Sequence, residues 1–99
     1  MRNDADDSPI ETNLIRVRGH VQGVGFRFAC VRQAHQLGIT GWVRNMEDGS
    51  VQALIQGKIN QIDAMLSWLH IGPPSATVSD VVIESDAYHE KSYQYFQQI

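Results

Sequence analysis

Ninety-nine residues with 42% apolar and 19% charged side chains provide for one hydrophobic core and exclude a second domain. The net charge of minus three sits in the first dozen residues, where Arg2 faces Asp4, Asp6, Asp7 and Glu11, so the rest of the chain is neutral with seven charges of each sign. A neutral body lacks the clustered Lys and Arg that nucleic-acid backbones and anionic membranes select, and neither is expected as a partner. The opening MRNDADDSPIET has no basic segment followed by an apolar run, and no apolar stretch approaches the roughly 20 residues that span a bilayer, so a cytoplasmic protein is expected. Cys30 is the sole cysteine, which excludes an internal disulfide and a cysteine-rich zinc site.

Residues 1–12 are acidic, contain a Ser-Pro pair and show no periodicity; they are predicted to be a flexible arm, with the folded domain at 13–99. From Leu14 to Val21 the chain alternates, with Ile15, Val17, Gly19 and Val21 on one face and Arg16, Arg18 and His20 on the other, the period of a half-buried strand. Gln22-Gly23-Val24-Gly25 then forms a glycine-rich turn, and Phe26, Cys30, Ala34 and Leu37 recur at helical spacing up to a capping Gly38. Ile39 to Met46 and Ser50 to Gln56 read as a hairpin turning at Glu47-Asp48-Gly49. Ile59, Ile62, Met65, Leu66 and Leu69 outline a second helix, with Asn60 and Asp63 expected to satisfy its first amides and Gly72-Pro73-Pro74 to stop it. Thr77 to Glu84 is a fourth strand, and Tyr93 to Ile99 a fifth, reached through a polar loop. The order βαββαβ plus a terminal strand predicts an α/β (α+β) ferredoxin-like sandwich: a mainly antiparallel sheet of four to five strands with two helices on one face.

Where a strand ends in a glycine turn and a helix starts at once, backbone N–H groups converge near the positive helix end and form an anion cradle. Gly23 and Gly25 permit the left-handed backbone such a curl needs. Arg27 stands beside it with a planar, permanently charged fork suited to two phosphate oxygens. The segment therefore reads as a phosphate site.

The run Val17-Arg18-Gly19-His20-Val21-Gln22-Gly23-Val24-Gly25-Phe26-Arg27 resembles the first signature of the acylphosphatase family. Gly41-Trp42-Val43-Arg44-Asn45, with Gly49, Val51 and Gly57 at matching offsets, resembles the second, and the likeness covers about residues 14–99. Gln98 departs from the pattern, standing where the family usually has an apolar residue. The resemblance implies hydrolysis of a small-molecule acyl phosphate to carboxylate and inorganic phosphate, with no metal, no cofactor and no covalent intermediate. By position, Arg27 and Asn45 match the family's catalytic pair, Arg27 gripping phosphate and Asn45 holding the attacking water. The amides of Gln22, Gly23, Val24, Gly25, Phe26 and Arg27 match its phosphate loop. A monomer is expected, and the acyl group is left open.

Other chemistries fit less well. A cysteine phosphatase built on Cys30 needs arginine six positions on, where Gln36 stands, and Cys30 shares an apolar face with Phe26 and Ala34. Neither nucleotide fingerprint is complete: no Gly-Lys-Ser/Thr follows the turn, and Phe28 occupies the place of a third glycine. His20, His35, His70 and His89 are scattered without ligand spacing. Arg16, Arg18 and Arg44 suit a positive rim for anionic substrates and an ordinary solvated sheet face equally. An RNA-recognition module shares the element order, but its aromatic residues belong on a central strand, whereas Phe26 and Phe28 fall at a helix start. A binding or regulatory module that handles acyl phosphates without turning them over is the remaining alternative.

Overall fold

A computed structural model describes residues 9–86 and 91–99. Most of the acidic arm, His89 and the polar loop around it lie outside these residues. The described chain runs β1 (Glu11–His20), α1 (Phe26–Leu37), β2 (Thr40–Asn45), β3 (Val51–Gly57), α2 (Ile59–Leu69), β4 (Thr77–Ser85) and β5 (Phe96–Gln98). One sheet takes all five strands in the order β4-β1-β3-β2-β5. Its first four strands are mutually antiparallel neighbours, and β5 lies parallel to β2. The expected ferredoxin-like sandwich is thus present, with a parallel edge strand added.

The order follows from two crossovers. A helix between strands carries the chain past one strand's width, so β1-α1-β2 leaves a gap that β3 fills, and β3-α2-β4 leaves one that β1 fills. The helices bury Phe26, Cys30, Ala34, Ile62, Met65 and Leu69 against Ile15, Val17, Val43, Val51, Ala53 and Ile55 of the sheet. Each large aliphatic side chain so covered contributes about 1.5–3 kcal/mol. Trp68 extends this core toward Phe26, with ring centroids 5.7 Å apart.

Every residue of β3 is buried, although the alternation leaves half of them on the face without helices. There Leu54 registers between Leu14 and Trp42. Gln52 is roofed by Arg44 and Glu84, and Gln56 binds the carbonyl of Lys91 and the amide of Tyr93. Long polar side chains do there what helices do on the other side.

Two strand starts and the capping of one helix differ from expectation by more than a residue's shift. β1 starts at Glu11, inside the predicted arm, because Glu11, Thr12 and Asn13 pair with Gly57, Gln56 and Ile55. β5 begins only at Phe96: Lys91 and Tyr93 spend polar groups on Gln56 and Trp42, and the first backbone bond to β2 is the one the Tyr95 carbonyl accepts from the Gly41 amide at 2.8 Å. The start of α2 is satisfied by Gln61, whose Oε1 accepts the Lys58 amide at 2.8 Å. Asn60 and Asp63 lie inside that helix and exposed, past the position from which they were expected to cap it.

Candidate active site

β1 ends at His20, and the chain reaches α1 through five residues before the helix starts at Phe26. Gly23 (φ 75°) and Gly25 (φ 77°) both take the left-handed conformation, and a side chain at either would meet nothing within 4 Å, so the demand is conformational. Gly25 caps α1 without a side-chain oxygen, and the first intrahelical bond there runs from the Ala29 amide to Gly25 at 3.0 Å. The amides of Phe26, Arg27 and Phe28 are consequently left without intrahelical acceptors, the usual state of a helix start. No acidic side chain occupies the first turn to meet them.

A hollow of about 220 Å³ opens at this helix start, lined by Val21, Gly23, Gly25, Phe26, Arg27, Phe28, Asn45 and Gln98. Arg27 and Asn45, 18 positions apart in sequence, share it. Among these lining residues Arg27 carries the only charge, and no described Asp or Glu side chain pairs with it. Its Nη1 donates to the terminal main-chain oxygen of Ile99 at 3.2 Å, which holds the guanidinium toward the β5 side. Asn45 ends β2 in register with Val51, at the point where the hairpin leaves the sheet.

Gln22 and Val24 do not line the hollow. The Gln22 side chain turns to the hairpin, where Nε2 donates to the carbonyls of Met46 and Ser50, both at 2.8 Å. One amide group thus ties the glycine turn to the two residues flanking the Asn45–Val51 pair. On the other side, the Ser75 hydroxyl donates to the Val24 carbonyl at 2.9 Å. From the sequence Gln22 has only a backbone role, because nothing in local spacing signals a contact across 24 residues.

Phe28 and Gln98 also line the hollow, a placement that their positions in the sequence do not signal. Gln98 pairs with Val43 while Phe96 pairs with Gly41, so Phe96 enters the core and Gln98, two positions on along the same face, reaches the hollow. Its polarity at a place usually apolar is explained by that position.

Behind Asn45, a second depression of about 450 Å³ is lined by Arg16, Arg44, Met46, Glu47 and Asp48 as well. Here the cations are engaged. Arg16 lies 3.3 Å from Asp48 and 3.1 Å from Glu84, Arg18 lies 3.6 Å from Asp80, and Arg44 donates twice to Gln52. The Ser50 hydroxyl and amide both donate to Asp48 and, with Arg16 and Arg18 nearby, hold its carboxyl below the ordinary value. Arg16 and Arg18 are thus paired with carboxylates on the sheet face, and Arg44 is held by the neutral carboxamide of Gln52.

Cys30 is fully buried, and burial pushes its thiol up to about 12, so it stays protonated near neutral pH and is no nucleophile. None of the described histidines lines the hollow; His35 and His70 make hydrogen bonds to the carbonyls of Phe96 and Leu66. Among the described residues no three His, Cys, Asp or Glu side chains gather as a metal site. No described helix is long and apolar enough to cross a membrane.

The acylphosphatase family model matches residues 14–98, which takes in both the glycine turn and the Asn45 hairpin. The chain belongs to the acylphosphatase family. It is 60% identical over 92 residues to an acylphosphatase from Paraburkholderia xenovorans, covering 93% of this chain and 94% of that one. The solved acylphosphatase from Bacillus subtilis matches with a TM-score of 0.84 at 28% identity, over 92% of this chain and 99% of its own. One from Coxiella burnetii reaches the same TM-score at 34% identity, over 91% and 93%. The chain is accordingly a hydrolase of the acylphosphatase type.

Proposed function

We propose that this acylphosphatase works by in-line attack of a water held by Asn45 on a phosphoryl group gripped by Arg27 and by the amides of the glycine turn and helix start. The observation that carries the reading is the hollow itself, in which a guanidinium without an Asp or Glu partner, uncapped amides and a carboxamide face one space. A phosphate dianion matches the first two by charge and by its acceptor oxygens. The carboxamide accepts from water through oxygen and donates through nitrogen, so it orients a nucleophile without titrating.

An acyl phosphate already carries a good leaving group, so neutralising charge and placing the water are the main tasks left to the protein. The water oxygen bonds to phosphorus as the bond to the acyl oxygen breaks, and the electron pair leaves on the carboxylate. The water's proton passes to a phosphoryl oxygen, since no histidine among the described residues lines the hollow. Activity is then flat from mildly acid to neutral pH; a loss with an apparent pKa near about 6.5 would point to a histidine base instead.

Phosphate release from acetyl, carbamoyl and glycerate anhydrides tests the activity and separates catalyst from binder. For the residue roles, Asn45→Ala is expected to lower kcat by about a hundredfold while inorganic phosphate still inhibits as in the wild type. Near wild-type turnover in that variant would remove Asn45 from the mechanism.

A further inference from the structure

We propose that Phe28 is the surface on which this site receives the acyl group, and that it favours acyl phosphates with apolar, above all aromatic, acyl groups. The proposal deepens the reading of Arg27 and Asn45 given above and rests on it. In-line displacement sets the attacking water and the departing acyl oxygen on opposite sides of phosphorus. Asn45 forms the wall that the phosphate hollow shares with the hairpin depression, so the acyl group is directed away from that wall. Phe28 forms the wall shared with a different depression, about 300 Å³, which runs along α1 past Arg32 to Trp68 and Pro73.

The chemistry of that wall is apolar and available. Phe28 is 63% exposed, whereas Phe26 and Val21, the other large apolar groups of the hollow, are 1% exposed and spent on the core. The Arg32 guanidinium lies over the Phe28 ring, 6.0 Å from its centroid, and covers one face of it. A ring stacked on the free face would remove apolar area from water on both partners, while an acetyl group offers one methyl. Nothing in the phosphate grip distinguishes the two, so discrimination on the acyl side falls to this residue.

The test compares kcat/KM for benzoyl phosphate and acetyl phosphate in the wild type, Phe28→Ala and Phe28→Leu. The ratio of the two substrates, compared between variants, cancels the anhydrides' intrinsic reactivities. Phe28→Ala is expected to lower the benzoyl-to-acetyl ratio by about tenfold, because the benzoyl substrate loses more kcat/KM than the acetyl one. Phe28→Leu falls between them. An unchanged ratio in Phe28→Ala, or equal losses on both substrates, overturns the proposal. No release from either substrate by the wild type would instead overturn the catalytic reading beneath it, and the proposal with it.

Discussion

At the phosphate hollow Arg27 has no Asp or Glu side chain beside it among the described residues, while at the adjoining hairpin depression Arg16 is shared by Asp48 and Glu84 and Arg44 is spent on Gln52. Both places hold arginine, and the two meet at Asn45. The hairpin depression is also the larger of the two, which shows how little size says about chemistry. An anion is drawn to charge that the protein has not already neutralised, and the helix start adds unpaired amides to that charge on the Arg27 side only.

The contrast is broken most directly by removing each cation in turn. Arg27→Ala is expected to lower kcat/KM by about a thousandfold, with KM and kcat both affected, because phosphate binding and charge neutralisation fail together. Arg44→Ala, one position from Asn45 in sequence, is expected to stay within about threefold, since its guanidinium is held by the carboxamide of Gln52. Steady-state kinetics on acetyl phosphate decides this, and equal losses in the two variants would mean that the hairpin side also takes part in binding.

A smaller effect is expected where the two regions are joined. Gln22→Leu removes the donor that serves the Met46 and Ser50 carbonyls, so the glycine turn and the Asn45 hairpin lose their tie. The loss is about 1–2 kcal/mol of stability together with about a fivefold fall in kcat, while phosphate inhibition changes little because Arg27 is untouched. Urea unfolding and a kcat-against-KM comparison read the two parts separately; a full kcat in a destabilised variant would confine Gln22 to a structural role.

The smallest effect belongs to Asp48, exposed at the hairpin tip. Its carboxyl lies below its ordinary value of 3.8 because Ser50 donates to it from side chain and backbone and Arg16 and Arg18 add positive charge. A depressed acid contributes its stability above the ordinary value and loses it as pH falls through the folded one. Wild type should therefore exceed Asp48→Asn in urea midpoint near about pH 6, and the gap should close on acidification below about pH 4. A gap that persists in acid would mean that shape, and not charge, holds the hairpin.

Periodicity alone made the element order, the two helices and the core face of β1 legible, because residues that alternate or recur at helical spacing report their own local burial. The glycine turn and Arg27 could be read as an anion site for the same reason: the whole device lies within a few residues. Asn45 was different. Beside an Asp-Gly turn it looks like turn chemistry, and only the family resemblance singled it out.

What the sequence determined by itself was thus local: a strand, a left-handed glycine pair, a helix start and a cation, set in an order that admits few sheets. Tertiary structure decided the rest. Which arginines find carboxylates depends on register between strands more than 30 residues apart, as in Arg16 with Asp48 and Glu84. Likewise the arrival of Phe28, Asn45 and Gln98 at one hollow depends on how α1, β2 and β5 end beside one another. Hydrogen bonds and charge pairs are short-ranged in space and indifferent to distance along the chain, so no pattern within one segment announces them.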